Sequence, residues 1–376
     1  MKIYIIAGEA SGDLHAADVI RELKKLKPSL ETRGWGGDLM QKEGTEIVKH
    51  YRDLAFMGFT EVIMNLRTIL RNIDYCKEDI LAFRPDALIL VDYPGFNLRI
   101  AEFAKEQNIP VYYYISPQVW AWKSSRVYKI KRVVERMFVI LPFERDFYKK
   151  FNYDVSYVGH PLPDVIRRRK ENFSDRKQFL SKHSLSEKPI IALLPGSRSQ
   201  EIARMLPLML SVKQAFSDYQ FIVAAAPSQP PAFYKSVMGN AHVTIIEDGT
   251  YELLANSEAA LVTSGTATLE TALMNVPQVV CYKGGNVSYL IARSLVKVAY
   301  ISLVNLIMER EVVKELIQKN LNPKSLHMEL KKILDTTIRK RIFKDYAELT
   351  EKLSTGGAAA QTALHIARDL DAKKIS

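Results

Sequence analysis

Short, continuously apolar runs recur along the chain, each followed by a turn and then by a helix-period pattern. Ile3–Ala7, Ala87–Val91, Val111–Ile115 and Met137–Leu141 form one series; Ile190–Leu194, Phe221–Ala226, Val243–Ile246, Ala259–Thr263 and Gln278–Tyr282 form a second. A strand that is apolar on both faces has no solvent side, so it belongs inside a parallel sheet covered by helices above and below. The 376 residues exceed one ordinary α/β domain and suit two. Between the two series, Gly159-His160-Pro161-Leu162-Pro163 is turn-rich and the segment from Arg167 to Lys182 is heavily charged, which marks a connection. From about Asn286 onward the pattern is nearly all helical. The fold expected is α/β, with two Rossmann-like, doubly wound domains over residues 1–165 and 166–345 and a helical end over 346–376. Facing each other, two such domains would bring their strand-end loops to one cleft, where open parallel sheets bind ligands.

Four of these strand ends carry chemistry. The strand Ile190–Leu194 breaks at Pro195-Gly196 and resumes as an amphipathic helix with Ile202, Leu206, Met209 and Leu210 inward. Gly196 and Ser197 at that turn let the backbone approach an anion, the first helical N–H groups point at it, and Arg198 adds a charged fork. An ordinary βα turn with a surface arginine has the same four residues. Gly8-Glu9-Ala10-Ser11-Gly12-Asp13 follows the first strand but departs from G-x-G-x-x-G, so no nicotinamide or flavin fingerprint is present. Glycines there would let a sugar lie against the backbone beside Glu9, Ser11 and Gly12; a capped glycine turn reads the same way. Asp92 stands at the end of Ala87–Val91, before Pro94-Gly95, where a carboxylate fits a general base towards a hydroxyl and fits a helix cap equally. Ser264-Gly265-Thr266 follows Ala259–Thr263 with small residues that leave room for a ligand, and Glu270, one turn on, is placed to take both hydroxyls of a ribose or merely to decorate the helix.

Charge and patterning narrow the partners. The net charge of +11 favours something anionic: nucleic acid, a phosphorylated substrate or an acidic membrane surface. Lys123, Arg126, Lys129, Lys131 and Arg132 follow Trp120-Ala121-Trp122, a pattern shared by nucleic-acid surfaces, anionic-lipid surfaces and solvated helix faces. Val62, Ile63, Leu66, Ile69 and Leu70 make an apolar stripe interrupted by Arg67 and Arg71, suited to a membrane-facing helix and to a helix packed on a sheet. No apolar run reaches the roughly 18 residues of a spanning helix, and neither a secretory signal nor a cysteine framework is evident, so a reducing compartment is expected. Asp369-Leu370-Asp371 is the one literal Asp-x-Asp and lies in the helical tail; no other spacing suits a divalent ion, so neither metal nor cofactor is expected. His160, beside Pro161, reads as structural.

Taken in order, these segments resemble the lipid-A-disaccharide synthases, bacterial glycosyltransferases of the two-domain GT-B type. The likeness runs through Gly8–Asp13, Met57-Gly58, Asp92-x-Pro94-x-Phe96-Asn97, Ser116-Pro117-Gln118-Val119-Trp120-Ala121-Trp122 and Leu141-Pro142-Phe143-Glu144. It continues through Val158-Gly159-His160-Pro161-Leu162, Leu193-Leu194-Pro195-Gly196-Ser197-Arg198, Ser264-Gly265-Thr266-Ala267 and Ser302-Leu303-x-Asn305-Leu306. Each motif is short; their number and order carry the resemblance. It implies transfer of a sugar from UDP-2,3-diacylglucosamine to the 6-hydroxyl of 2,3-diacylglucosamine 1-phosphate, giving a β-1,6 disaccharide and UDP. Asp92 matches the family's essential aspartate and would be the base; Arg198 matches its essential arginine and would hold the diphosphate where other enzymes use Mg²⁺. Ser264, Gly265, Thr266, Glu270 and Asn305 would complete the UDP pocket. The resemblance further implies peripheral attachment to the cytoplasmic leaflet of the inner membrane, which favours lipid docking for the Val62–Leu70 stripe. It also implies a last helix that returns to the first domain, and it admits a homodimer with exchanged C-terminal portions. Val304 stands where the family usually has proline, and Glu309 where a small residue is common. Another GT-B UDP-sugar transferase with a lipid acceptor would lack the Asp92-x-Pro94-x-Phe96-Asn97 segment. A nucleic-acid-binding protein would show steeply salt-dependent oligonucleotide affinity and no protection by UDP.

Overall fold

The computed structural model describes residues 1–54, 66–121, 124–227, 229–284 and 299–375. The chain divides into two compact units, Met1–Pro161 with Leu353–Ser376, and Leu162–Lys352. In the first, β1 (Lys2–Ala7), β2 (Glu31–Gly36), β3 (Glu46–His50), β4 (Ala87–Val91), β5 (Val111–Tyr114), β6 (Arg136–Val139) and β7 (Ser156–Tyr157) form one sheet in the order β3-β2-β1-β4-β5-β6-β7. In the second, β8 (Ile190–Leu194), β9 (Gln220–Ala224), β10 (Thr244–Ile246), β11 (Ser257–Thr263), β12 (Gln278–Tyr282) and β13 (Lys314–Ile317) take the order β10-β9-β8-β11-β12-β13. Every pairing is parallel. Both sheets are thus doubly wound, and each reverses its strand order once: between β1 and β4, and between β8 and β11.

The central strands are apolar throughout because both of their faces are covered. β1, β4 and β5 send alternate residues to two separate cores, Tyr4, Leu88, Leu90 and Tyr113 to one and Ile3, Ile5, Ile89 and Tyr112 to the other. The second core is completed by the last helix, Ala358–Ile375, through Ala358, Ala363, Ile366 and Leu370. Arg136 clamps that helix with a bidentate bond to Asp369, at 2.8 and 3.0 Å, and Lys27 reaches Asp371 at 2.7 Å. The seam explains the Val158–Pro161 motif. Gly159 has φ +82°, and a Cβ there would lie 2.1 Å from Thr355 Oγ1, while Thr355 donates to the Val158 carbonyl and the His160 N–H donates to Leu353 O. His160 is 6% exposed, and burial followed by the neighbouring His15 pushes its pKa down to about 3. It is a neutral, structural histidine.

Three differences from the sequence reading stand out. The first helix begins at Ala10, so Ser11 and Gly12 lie in its first turn rather than in a glycine turn ahead of it. Strands β2, β3 and β7 carry too few apolar residues to announce themselves. The stretch after Asn286 is not all helical, since β13 adds an edge strand beside β12.

Candidate active-site loops at the two sheet reversals

In the first unit, Ala7 pairs with Val91, so the loops leaving β1 and β4 emerge side by side at the reversal. This places Gly8 against Tyr93 and the Glu9 carboxylate close enough to act on Asp92. Gly12 sits 3.3 Å (from an added Cβ) above the Ala7 side chain, which lets the helix approach the strand. Gly8 lies under the Tyr93 ring, where a Cβ would meet Cδ1 at 2.4 Å. Asp13 is buried and turned away: its carboxylate accepts the N–H groups of Gly37, Leu39 and Met40, and so caps the helix Asp38–Lys42.

Asp92 and Tyr93 both adopt left-handed backbone, at φ +46° and +47°. Such conformations cost of order 1–3 kcal/mol each and persist only when neighbours over-determine them. Here the Asp92 carbonyl accepts the Asn97 amide at 2.8 Å and the Tyr113 hydroxyl at 2.5 Å. Asn97 also donates to Val91 O at 3.2 Å, and Phe96 packs against Trp35 and Tyr93. The Asp92-x-Pro94-x-Phe96-Asn97 motif is therefore the brace of a tight strand exit. The helix Pro94–Glu106 has Tyr93 as its cap residue and no side-chain cap bond, which removes the helix-cap reading of Asp92. Burial, and after it the Glu9 carboxylate, push the Asp92 carboxyl up to about 6, with the Tyr93 N–H pulling the other way. A carboxylate poised there can take a proton near neutrality. Tyr113 is one residue that sequence reasoning missed: it reads as one more buried strand residue, and nothing periodic marks its hydroxyl.

In the second unit, Leu194 pairs with Val262, so the loops after β8 and β11 meet at the corresponding reversal. Gly196 has φ +109°, and Arg198 is the extended cap of the helix Ser199–Leu210, whose Ile202, Met205, Leu206 and Met209 face the core. The Arg198 side chain is 81% exposed. Glu201 turns back on the loop: its Oε2 accepts the Ser197 and Arg198 N–H groups, each at 3.4 Å, and its Oε1 lies 3.7 Å from Arg198 Nη1. The loop thus already holds a carboxylate where its N–H groups and guanidinium converge. Gly265 and Thr266 are exposed at the start of the helix Thr266–Leu273, and Glu270 is half-buried one turn in. The Ser264 hydroxyl donates to Ile301 O at 3.0 Å, tying this loop to the 301–303 segment.

Some expectations change. Asn305 is fully buried, and its amide is saturated: Nδ2 donates to Val313 O and Glu315, and Oδ1 accepts Val312 and Val313 N–H. It is a structural knot behind the loop, with no hydrogen-bonding capacity left for UDP. Glu315 gathers the Ile301 and Ser302 N–H groups into the same knot. Val304 is buried in the first turn of the helix Leu303–Met308, and Glu309 is that helix's left-handed C-cap at φ +55°, a conformation that favours glycine or asparagine.

The apolar stripe also divides. Val62 and Ile63 lie outside the described residues, as does the Leu66 side chain. Ile69 packs against the first core, so it does not face a membrane, whereas Leu70 and Leu81 on the same helix, Leu66–Phe83, are 46% and 47% exposed. The basic run is largely committed: Lys129 and Arg132 pair with Glu102, and Lys131 donates to Asn152 O. No helix among the described residues is long and apolar enough to cross a membrane. Among those residues, no three His, Cys, Asp or Glu side chains cluster as metal ligands.

The profile of the lipid-A-disaccharide synthetase family matches residues 3–366. Lipid-A-disaccharide synthase of Syntrophus aciditrophicus is 41% identical over 371 residues, 96% of each chain. That of Myxococcus xanthus is 38% identical over 370 residues, again 96% of each. Among solved structures, UDP-GlcNAc 2-epimerase from Neisseria meningitidis, bound to UDP-GlcNAc, superposes with a TM-score of 0.69 at 12% identity, covering 98% of this chain and 99% of that one. That likeness speaks for the two-sheet fold. The family match over residues 3–366 and the full-length relatives show that the chain belongs to the lipid-A-disaccharide synthase family.

Proposed function

We infer that this chain is a lipid-A-disaccharide synthase, a glycosyltransferase of lipid A biosynthesis that joins two acylated glucosamines and releases UDP. The donor is UDP-2,3-diacylglucosamine and the acceptor 2,3-diacylglucosamine 1-phosphate. The observation that carries the assignment of roles is the pair of sheet reversals, one furnishing a raised-pKa carboxylate and the other an exposed arginine over a helix start. Asp92 accepts the proton of the acceptor's 6-hydroxyl as that oxygen bonds to the donor's anomeric carbon. The bond from that carbon to the diphosphate breaks with its electron pair, and the anomeric centre inverts. Arg198, Gly196, Ser197 and the first N–H groups of the helix Ser199–Leu210 neutralise the leaving diphosphate. Ser264, Gly265, Thr266 and Glu270 receive the nucleoside, and Glu9, Ser11 and Gly12 border the sugar. On this reading the first unit binds the acceptor and the second the donor. The decisive assay supplies both acylated sugars, with and without a chelator. Disaccharide and UDP should form in equal amounts and at the same rate in both arms; no disaccharide, or loss of rate with the chelator, would overturn the reading.

UDP alone should raise the melting temperature by mass action, since a ligand at 100 times its Kd stabilises by about 2.7 kcal/mol. No shift at saturating UDP counts against the donor assignment.

The acyl chains of both substrates require the enzyme to work at a lipid surface, and we place it peripherally on the cytoplasmic leaflet of the inner membrane. On the helix Leu66–Phe83 the exposed Leu70 and Leu81 suit such docking. Leu70→Glu with Leu81→Glu should lower co-sedimentation with anionic vesicles and leave the melting temperature within a few degrees. Unchanged vesicle binding would remove this helix from the docking surface.

A further inference from the structure

Glu270 does not stand alone. It lies on the helix Thr266–Leu273; facing it is Tyr251, on the helix Thr250–Ala255 that precedes β11. The Tyr251 hydroxyl donates to Glu270 Oε1 at 2.6 Å. The guanidinium of Arg169, from the helix Leu162–Lys170, rests over the Tyr251 ring at 4.8 Å. Three helices thus contribute one residue each to a chain that ends on a single carboxylate beside the loop after β11. Tyr251 is the only hydrogen-bond partner of the Glu270 carboxylate among the described residues.

We propose that Tyr251, steadied on its ring face by Arg169, is a positioning residue that presets the Glu270 carboxylate to accept the vicinal hydroxyls of the donor's ribose. This rests on the reading of Glu270 as the ribose acceptor. A carboxylate offers about four lone-pair sites, and the phenol occupies one, leaving enough for two hydroxyls. The phenol also fixes the plane of the group, so a diol meets an oriented acceptor instead of a rotating one. Freezing a side chain on binding costs about 0.5–1.5 kcal/mol, and an arrangement already frozen avoids that cost. Burial raises the Tyr251 hydroxyl well above its usual range, so it remains a donor throughout the working pH range. Burial pushes the Glu270 carboxyl above its usual range, and the Tyr251 bond and then the charge of Arg169 oppose that push.

The test is isothermal titration of the full chain with UDP and with 2′,3′-dideoxy-UDP, which lacks both hydroxyls. The native protein should prefer UDP, and Glu270→Gln should collapse that preference. Tyr251→Phe should weaken UDP roughly 2–13-fold, the freezing cost expressed as a ratio, while leaving the dideoxy ligand unchanged. If Glu270→Gln leaves the preference intact, the ribose reading falls, and the role of Tyr251 falls with it. If Glu270→Gln collapses the preference but Tyr251→Phe does not reduce it, only the role of Tyr251 falls. Equal weakening of both ligands by Tyr251→Phe, or loss of the cooperative melt, marks a purely structural contact and also overturns the proposal.

Discussion

Asp92→Asn is expected to lower turnover by roughly 10²–10⁴, the range over which a positioned general base contributes, while UDP binding stays near the native value. The substitution preserves shape. The strand exit should survive it, because Asn97 and Tyr113 grip the Asp92 main-chain carbonyl and not its side chain. Asparagine also tolerates the left-handed backbone found there. What is lost is the ability to take the proton from the 6-hydroxyl. The native enzyme should show kcat/KM rising with pH through about 6, because the carboxyl, pushed up to that value by burial and by Glu9, must lose its proton before it can act. Above that limb the rate should be flat in this group. Asp92→Asn should abolish the limb along with the rate, and Glu9→Gln should move it to lower pH by removing a like charge. Undiminished turnover in Asp92→Asn, or a limb that persists in it, would hand the role of base to another group.

Much of this was legible in the sequence, and what was not has a common physical cause. A strand buried on both faces must be apolar at every position, so β1, β4, β5, β8 and β11 declare themselves. Edge strands such as β13, Lys314–Ile317, are half-solvated and carry Lys and Glu, which blend into helical pattern. The doubly wound order then supplied what composition cannot: it set the loop of Glu9 beside Asp92 and that of Arg198 beside Ser264. Asn305 illustrates the opposite limit. A motif asparagine near a ligand loop suggests contact, but whether its amide is spent on the Val312–Val313 backbone depends on a turn that sequence does not reveal. Tyr113, Tyr251 and Glu201 escaped for a related reason. Their hydrogen bonds reach residues or backbone groups placed by tertiary packing, and periodicity carries no trace of such partners. Gly8 was legible as a glycine turn, yet its real constraint is the Tyr93 ring lying on its α-carbon, a neighbour 85 residues away by subtraction of the two numbers.

Arg198→Ala is expected to lower the rate by roughly 10²–10³, equivalent to about 2.7–4 kcal/mol, the loss seen when one charge-stabilising donor is removed from a reacting centre. The loss should be partial, because Gly196, Ser197 and the helix N–H groups keep their backbone donors. It should fall on kcat and on the donor, since charge builds on the diphosphate as the anomeric bond breaks. Glu201 sharpens the expectation. Its carboxylate lies against the same N–H groups that a diphosphate would take, with Arg198 alongside. Removing Arg198 leaves that negative charge uncompensated beside a second, incoming one, so donor affinity should fall together with kcat. Arg198→Lys restores the charge without the planar fork, and should recover only part of the rate. Glu201→Gln in the Arg198→Ala background removes the repulsion and should restore donor affinity more than it restores kcat. A loss confined to the acceptor's apparent affinity would place Arg198 on the other substrate and undo its assignment to the leaving group.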